Sequence, residues 1–426
     1  MTRREGAFRL REEADFARFW SGQSISLIGS QVTMMALPLT AILLLDADEL
    51  DQGVLFFCQY LPALLFGLQT GTLVDRFAKR RLLVVADLVR AVLLGALVLL
   101  AVTDRLGLAV LVTIAFLLGS FDVLATVGGQ SFVPKLVPEQ RLMDANGKLQ
   151  KVTTFAEVSG NSLAGLLVQF LTAPLALLVD AVSYVASAIV VGRVREAGAP
   201  VPLADGEVAP RAWDGLLFLF RDERLRAISL CNATSNFFSA TMVALYLLFV
   251  TRTLHLSPGL IGVLLTLASG IALLANGITA RGNQYLGTRS MLIAGQLVMA
   301  VGCIVLPFTD GGPAAKSVLL VLSHSVFVIG MVAFSITQIT YRQTVTPEHM
   351  QGRVHAGNHM LTYGSYAVGA LAGGLLGEWI GIRETLALGA LGHVVAAAWL
   401  LPRRGWLQEP LEKAERAEDG AADVHP

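Results

Sequence analysis

Charge is scarce in this sequence. Only 15% of its 426 residues are Asp, Glu, Lys or Arg, against about 25% in a soluble globular chain. Acids and bases also balance, 32 against 32, so no basic excess points to nucleic acid. Cysteine is rare too. Cys58, Cys231 and Cys303 are dispersed in apolar runs, which excludes a disulfide framework and a metal cluster and leaves buried packing. There is no GxxxxGK[ST] phosphate loop and no G-x-S-x-G elbow. ATP-driven transport by this chain alone and a membrane enzyme therefore lack support. What the chain has is oil: 54% hydrophobic residues and a mean hydropathy of +0.63. The first eighteen residues are too charged for a signal peptide.

A helix needs ~20 mostly apolar residues to cross a bilayer. Twelve stretches qualify: 20–45, 53–74, 82–103, 106–130, 150–171, 174–192, 226–250, 258–280, 290–308, 316–340, 357–378 and 384–401. The runs are continuous and do not alternate, so helices are expected and not a barrel. Lys and Arg fall in every second gap. All but five of the 32 bases occupy one side; Arg105, Arg252, Lys316 and Arg383 occupy the other, and Arg90 lies inside a span. By the positive-inside rule both termini are cytoplasmic. Trp20, Trp379, Trp399 and Trp406 fall near span ends, as interfacial indoles do.

The chain repeats itself. "GNSLAGLL" at 160 recurs as "GALAGGLL" at 369, and "VPE" at 137 recurs as "TPE" at 346, both at an offset of 209. The same offset pairs Ala78 and Arg80 with Gly287 and Arg289. Two six-helix halves of like orientation are expected, with a pocket between them near the midplane. The expected organisation is a cytoplasmic segment 1–19, a first bundle 20–192, a linker 193–225, a second bundle 226–401 and a tail 402–426. The linker contains "WDGLLFLFRDERLR", which reads as a short interfacial amphipathic helix. Its alternative is a soluble core segment.

"GTLVDRFAKRR" at 71–81 falls in the turn after the second span. Gly71, Asp75, Arg76, Arg80 and Arg81 resemble the signature loop of the major facilitator superfamily; its second glycine is Ala78 here. "VPKLVPEQRLMDANGKL", "DAVSYVASA" and "TPEHMQGRVHAG" look like the branch holding enterobactin exporters and macrolide-efflux proteins. The resemblance covers about 14–405. It implies an all-α membrane protein of twelve transmembrane helices in two six-helix repeats, working as a monomer without cofactor or metal. The loop itself has two readings. Asp75 can accept bonds from a neighbouring helix N-terminus or arginine, making a latch that closes the cytoplasmic side. Alternatively the basic cluster only anchors the turn to anionic lipid.

Ionisable groups inside a bilayer cost ~2.5 kcal/mol or more, so they face partners or cavities. Asp87, Arg90, Asp122, Glu157 and Asp180 all fall in the first half; at the offset Asp87, Arg90, Asp122 and Asp180 meet Gln296, Met299, Met331 and Gly389. Arg90 and Asp122 each lie about eight residues from the cytoplasmic end, roughly 12 Å deep. A charge network of Asp87, Arg90 and Asp122 is therefore expected, either as a structural ion pair or as a relay to Asp75. Glu157 has no base at its depth. It is a candidate proton carrier or counter-ion for a cationic substrate, and Asp180 is a second proton candidate. For both, the alternative is a neutral hydrogen-bonded carboxyl. The fifth-span glycines resemble an antiporter motif whose usual proline is Asn161 here; close packing alone also explains them.

Polar groups available to a cavity include Gln31 with Ser30 and Thr33, Asn232, Asn236 and Tyr246, and His324. Helix packing is the alternative for each. The expected function is secondary active, proton-coupled efflux of a small amphipathic compound, such as an antibiotic or siderophore. A nutrient importer or uniporter of the same fold is the alternative. The expected partners are a small-molecule substrate, protons and the lipid of the cell membrane.

Overall fold

The computed structural model describes residues 3–138, 141–195, 213–272, 275–347 and 350–401. The side chains of Gly71, Asp75 and Arg76 lie outside the described residues, as do most of the linker at 196–212 and the tail from 402. Helices make up the described chain, and no strand occurs among the described residues.

The first half holds α1 (Arg3–Leu44), α2 (Glu49–Arg76), α3 (Lys79–Val102), α4 (Leu108–Leu136), α5 (Leu142–Leu171) and α6 (Ala173–Gly192). The short α7 (Asp214–Arg221) precedes the second: α8 (Glu223–Leu248), α9 (Pro258–Ala272), α10 (Ala275–Val305), α11 (Pro313–Val345), α12 (Gln351–Ile380) and α13 (Ile382–Ala398). Local chemistry sets the starts. Asp48 and Asp51 cap α2 reciprocally, each carboxylate accepting the other's backbone N–H at 2.9 and 3.1 Å. Asp222 caps α8, accepting from the N–H groups of Arg224 and Leu225. A proline lies in the first two positions of both α6 and α11, where its missing N–H costs nothing.

Eight of the described helices are long and apolar enough to cross a membrane by length and composition. α5 and α12 are as long but richer in glycine and polar residues. α13 is only 17 residues long. The eighth expected span is divided between α9 and the first part of α10, with 273–274 undescribed. The expected turn before the ninth falls inside α10, where Gly287 leaves helical geometry at φ 74°, ψ 162°. A residue without Cβ adopts that conformation at little cost, so one glycine does the work of a loop.

The two halves are built in register. α5 and α12 are both 30 residues long and begin and end 209 residues apart. Each is joined to the next helix by one residue of positive φ: Thr172 at φ 89°, ψ 157° and Gly381 at φ 101°, ψ 158°. α1–α6, α3–α6 and α1–α5 packing in the first half is repeated by α8–α13, α10–α13 and α8–α12 in the second. Between halves, α2–α12 packing is mirrored by α5–α9. α7 docks on α12: Leu219 is fully buried, and a Cβ on Gly215 would run into the Arg353 backbone.

Candidate functional site

A cavity of about 690 Å³ lies between the halves, walled by α1, α2 and α5 on one side and α8, α9, α10 and α11 on the other. Gln31, Glu157, Tyr246 and His324 line it. Most of the wall is apolar, with Met34, Met35, Met242 and Met331 among it. Asn232 and Asn236 do not line it. Asn232 donates to Thr362 of α12 at 2.8 Å, and Asn236 donates to the Asn232 side chain at 3.1 Å. Asn232 thus ties α8 to α12, while Asn236 folds back onto α8 itself: both lie at cavity depth, but helix face turns them away from it.

Call the end carrying Lys79, Arg80, Lys135 and Arg353 the basic end. The cavity extends toward it as far as Gln150 and Ile336. The opposite end is closed by two close contacts. At Gly53 and Gly374 the α2 and α12 backbones meet: a Cβ on Gly53 would lie 2.7 Å from the Gly374 Cα. At Gly165 and Gly262 α5 and α9 meet likewise, at 2.9 Å. The offset of 209 turns the first pair into the second, so the closure is one contact made twice. Ser162 and Thr266 add a hydroxyl hydrogen bond at 2.8 Å, and Gln169 accepts from the Gly259 N–H at 2.9 Å. Arg252 reaches across to the Asp46 carboxylate.

Beside the cavity, the first half holds a charged cluster. Arg90 pairs with Asp87 one turn away on α3 and with Asp122 of α4 at 3.2 Å. Its guanidinium lies 4.2 Å from the ring centre of Tyr184 on α6, a cation–π geometry. The Tyr184 hydroxyl is 3.0 Å from Ser30 of α1. One turn along α6, Asp180 is fully buried and accepts hydrogen bonds from Thr33 and Ser183. Asp87, Arg90 and Asp180 are thus clamped between helices. Asp122 is not: its side chain is 64% exposed. Glu157 differs from all of them. Its carboxylate makes no hydrogen bond and no ion pair among the described residues; only its backbone oxygen accepts from Asn161.

Sequence reasoning passed over a matching knot in the second half. His393 is fully buried on α13. Its Nδ1 is 3.2 Å from both Ser235 and Gln296, and its Nε2 is 3.5 Å from Ser239, which lines the cavity. At the offset of 209, Tyr184 becomes His393, Ser30 becomes Ser239 and Asp87 becomes Gln296. That alignment was the available signal. The second half keeps the scaffold and drops the charge.

In the signature loop, Arg80 donates to the Val194 carbonyl at 3.1 Å and the Gly192 carbonyl at 3.5 Å, capping the end of α6 in its own half. Arg289 does the same for α13 through the Leu400 carbonyl at 3.0 Å. Lys79 is buried and donates to the Val74 carbonyl, while Arg81 is exposed.

Two repeated helical halves around a cavity closed at one end define a membrane transporter of the major facilitator type. The chain belongs within it to the transmembrane secretion effector family, whose model matches residues 8–417; that family comprises transporters and not enzymes. The chain is 25% identical over 370 residues to the multidrug efflux pump Tap of Mycolicibacterium fortuitum, covering 84% of this chain and 88% of that one. It is 23% identical over 376 residues to macrolide efflux protein A of Streptococcus pyogenes, covering 87% and 91%. Among solved structures it resembles a point mutant of the nucleoside transporter NupG with a TM-score of 0.77 at 12% identity, covering 91% and 99%.

Proposed function

We propose that this protein exports a small amphipathic compound across the cell membrane in exchange for protons, by alternating access. The basic end and both termini face the cytoplasm, because the bases cluster there. The halves, 20–192 and 226–401, rock about the cavity, and the linker 193–225 spans them. The observation that carries the reading is Glu157: an unpaired carboxylate on the wall of a largely apolar cavity that is closed at its far end. Such a group has protein partners for neither charge nor proton, so it is free to exchange one for the other. Asp180, held by Thr33 and Ser183, is the secondary proton site. Asp75 and Arg76 serve as the cytoplasmic latch of the opposite state. Relatives named as efflux pumps support the direction.

The test uses inverted vesicles containing the protein, energised acid inside. A panel of amphipathic antibiotics and siderophores is screened for uptake and for release of the pH gradient. The expected result is gradient release by at least one compound, lost in Glu157→Gln. Uptake that ignores the gradient would overturn proton coupling and favour a uniporter.

A further inference from the structure

We infer that the cavity is selective for charge: it takes an organic monocation with an apolar body and rejects anions of the same size. This rests on the export reading only for where the substrate goes, not for what is bound.

Three observations carry it. Among the described residues no Lys or Arg lines the cavity, and Glu157 is the only acidic one on its wall. The Glu157 carboxylate has no partner among the described residues, so an incoming cation displaces nothing. The bases nearest on the same helix are turned elsewhere. Lys148 lies 5.9 Å from the ring centre of Phe16 outside the cavity, and Lys151 is exposed and absent from the wall.

The surroundings add to the bias. Tyr363 on α12 stands within electrostatic reach of both Glu157 and Asp122, and Asp122 keeps most of its carboxylate exposed. Arg90, deep in α3, is committed to Asp87 and Asp122 together. The first half therefore presents a surplus of carboxylate to the space between the halves. In a low-dielectric chamber an uncompensated like charge is excluded and an opposite charge within ~4–6 Å is held. Elsewhere the wall offers Tyr246, Phe327 and four methionines, two of them, Met242 and Met331, on the half facing Glu157. These are polarisable surfaces that adapt to an irregular apolar body. A polyanionic metal chelate meets no positive charge among the described wall residues.

The experiment compares tetraphenylphosphonium with tetraphenylborate, which share size and shape and differ in the sign of their charge. Each is dialysed to equilibrium against the full-length protein in detergent, with protein-free micelles subtracted. The expected result is at least tenfold tighter binding of the cation. Glu157→Gln should lower cation affinity tenfold or more and erase the preference, while Glu157→Asp keeps it. Equal binding of the two ions, tighter binding of the anion, or a preference unchanged in Glu157→Gln would overturn the inference. Glu157→Asp shows whether the site survives substitution at that position. Binding needs no gradient and no direction. A failed vesicle assay with intact charge preference would overturn proton-coupled export alone. Gradient-driven export with no preference would overturn this inference alone.

Discussion

Adding one methyl group at Gly165 should hold the far end of the transporter open. A Cβ there would lie 2.5 Å from the Pro258 carbonyl oxygen, 2.9 Å from the Gly262 Cα and 3.1 Å from its nitrogen. All three are backbone atoms, so no side chain can step aside. Restoring ordinary contact near 3.5 Å requires α5 and α9 to part by about 1 Å. Overpacking of this kind costs ~1–3 kcal/mol, and here the cost falls only on the state in which the helices touch. The closed population should then drop by a factor of roughly 5 to 150 relative to the open one. Gly374→Ala should act alike, since its Cβ would lie 2.7 Å from the Glu49 carbonyl and 2.8 Å from the Gly53 Cα. Spin labels at Arg105→Cys and Ala314→Cys, in a background free of the three native cysteines, report the distance across the far end. Both variants should add a longer distance. Gly95→Ala, whose Cβ meets nothing within 4 Å, should not. Unchanged distances in well-folded Gly165→Ala and Gly374→Ala would refute the argument that these contacts make the closure.

Further outcomes follow from single contacts. Arg90→Met strands Asp87, which is 1% exposed, and should cost ~3–5 kcal/mol, read as loss of monodisperse protein in detergent; adding Asp87→Asn should recover part of it. Asp122→Asn should be far milder, because its side chain is 64% exposed and not buried with Arg90. Thr172→Gly relieves a side chain held at φ 89°; set against the added backbone freedom of glycine, it should raise stability by about 1 kcal/mol in a thermal melt. Gly381→Ala should lower it by ~1–3 kcal/mol, and equal melts for both would contradict the assigned geometry. Asp46→Asn should leave transport nearly unchanged, since that carboxylate is 96% exposed and its pair with Arg252 is screened.

Membrane character, the alternation of basic loops and the internal repeat were legible in the sequence, because each is a property of composition along the chain. Depth was legible too: counting residues put Arg90 and Asp122 at one level, and the structure brings them within 3.2 Å. Facing was not. Asn232 and Asn236 lie at a suitable depth yet turn toward Thr362 and each other, and no count of residues says which way a polar helix face turns in a bundle. His393 escaped notice because a lone histidine in an apolar run carries no pattern; only its image Tyr184, already tied to Arg90, gives it meaning. The Gly53–Gly374 and Gly165–Gly262 contacts each join the two halves, between positions far apart along the chain. Gly165 and Gly374 belong to the repeated glycine-rich motif, which signals close packing, but nothing in the sequence names Gly262 and Gly53 as their partners.

The register shared by α5 and α12 has a consequence for how the gene can change. Both helices run 30 residues without slack and pass through a single connecting residue into the next helix. One codon inserted after Leu142 would turn everything beyond it by about 100°. Glu157 would swing off the cavity wall, and Gly165 would leave Gly262. The same insertion after Gln351 would tear Gly374 from Gly53. Length variation is therefore barred from both copies of this stretch and is confined to surface turns such as 310–312, whose residues are exposed.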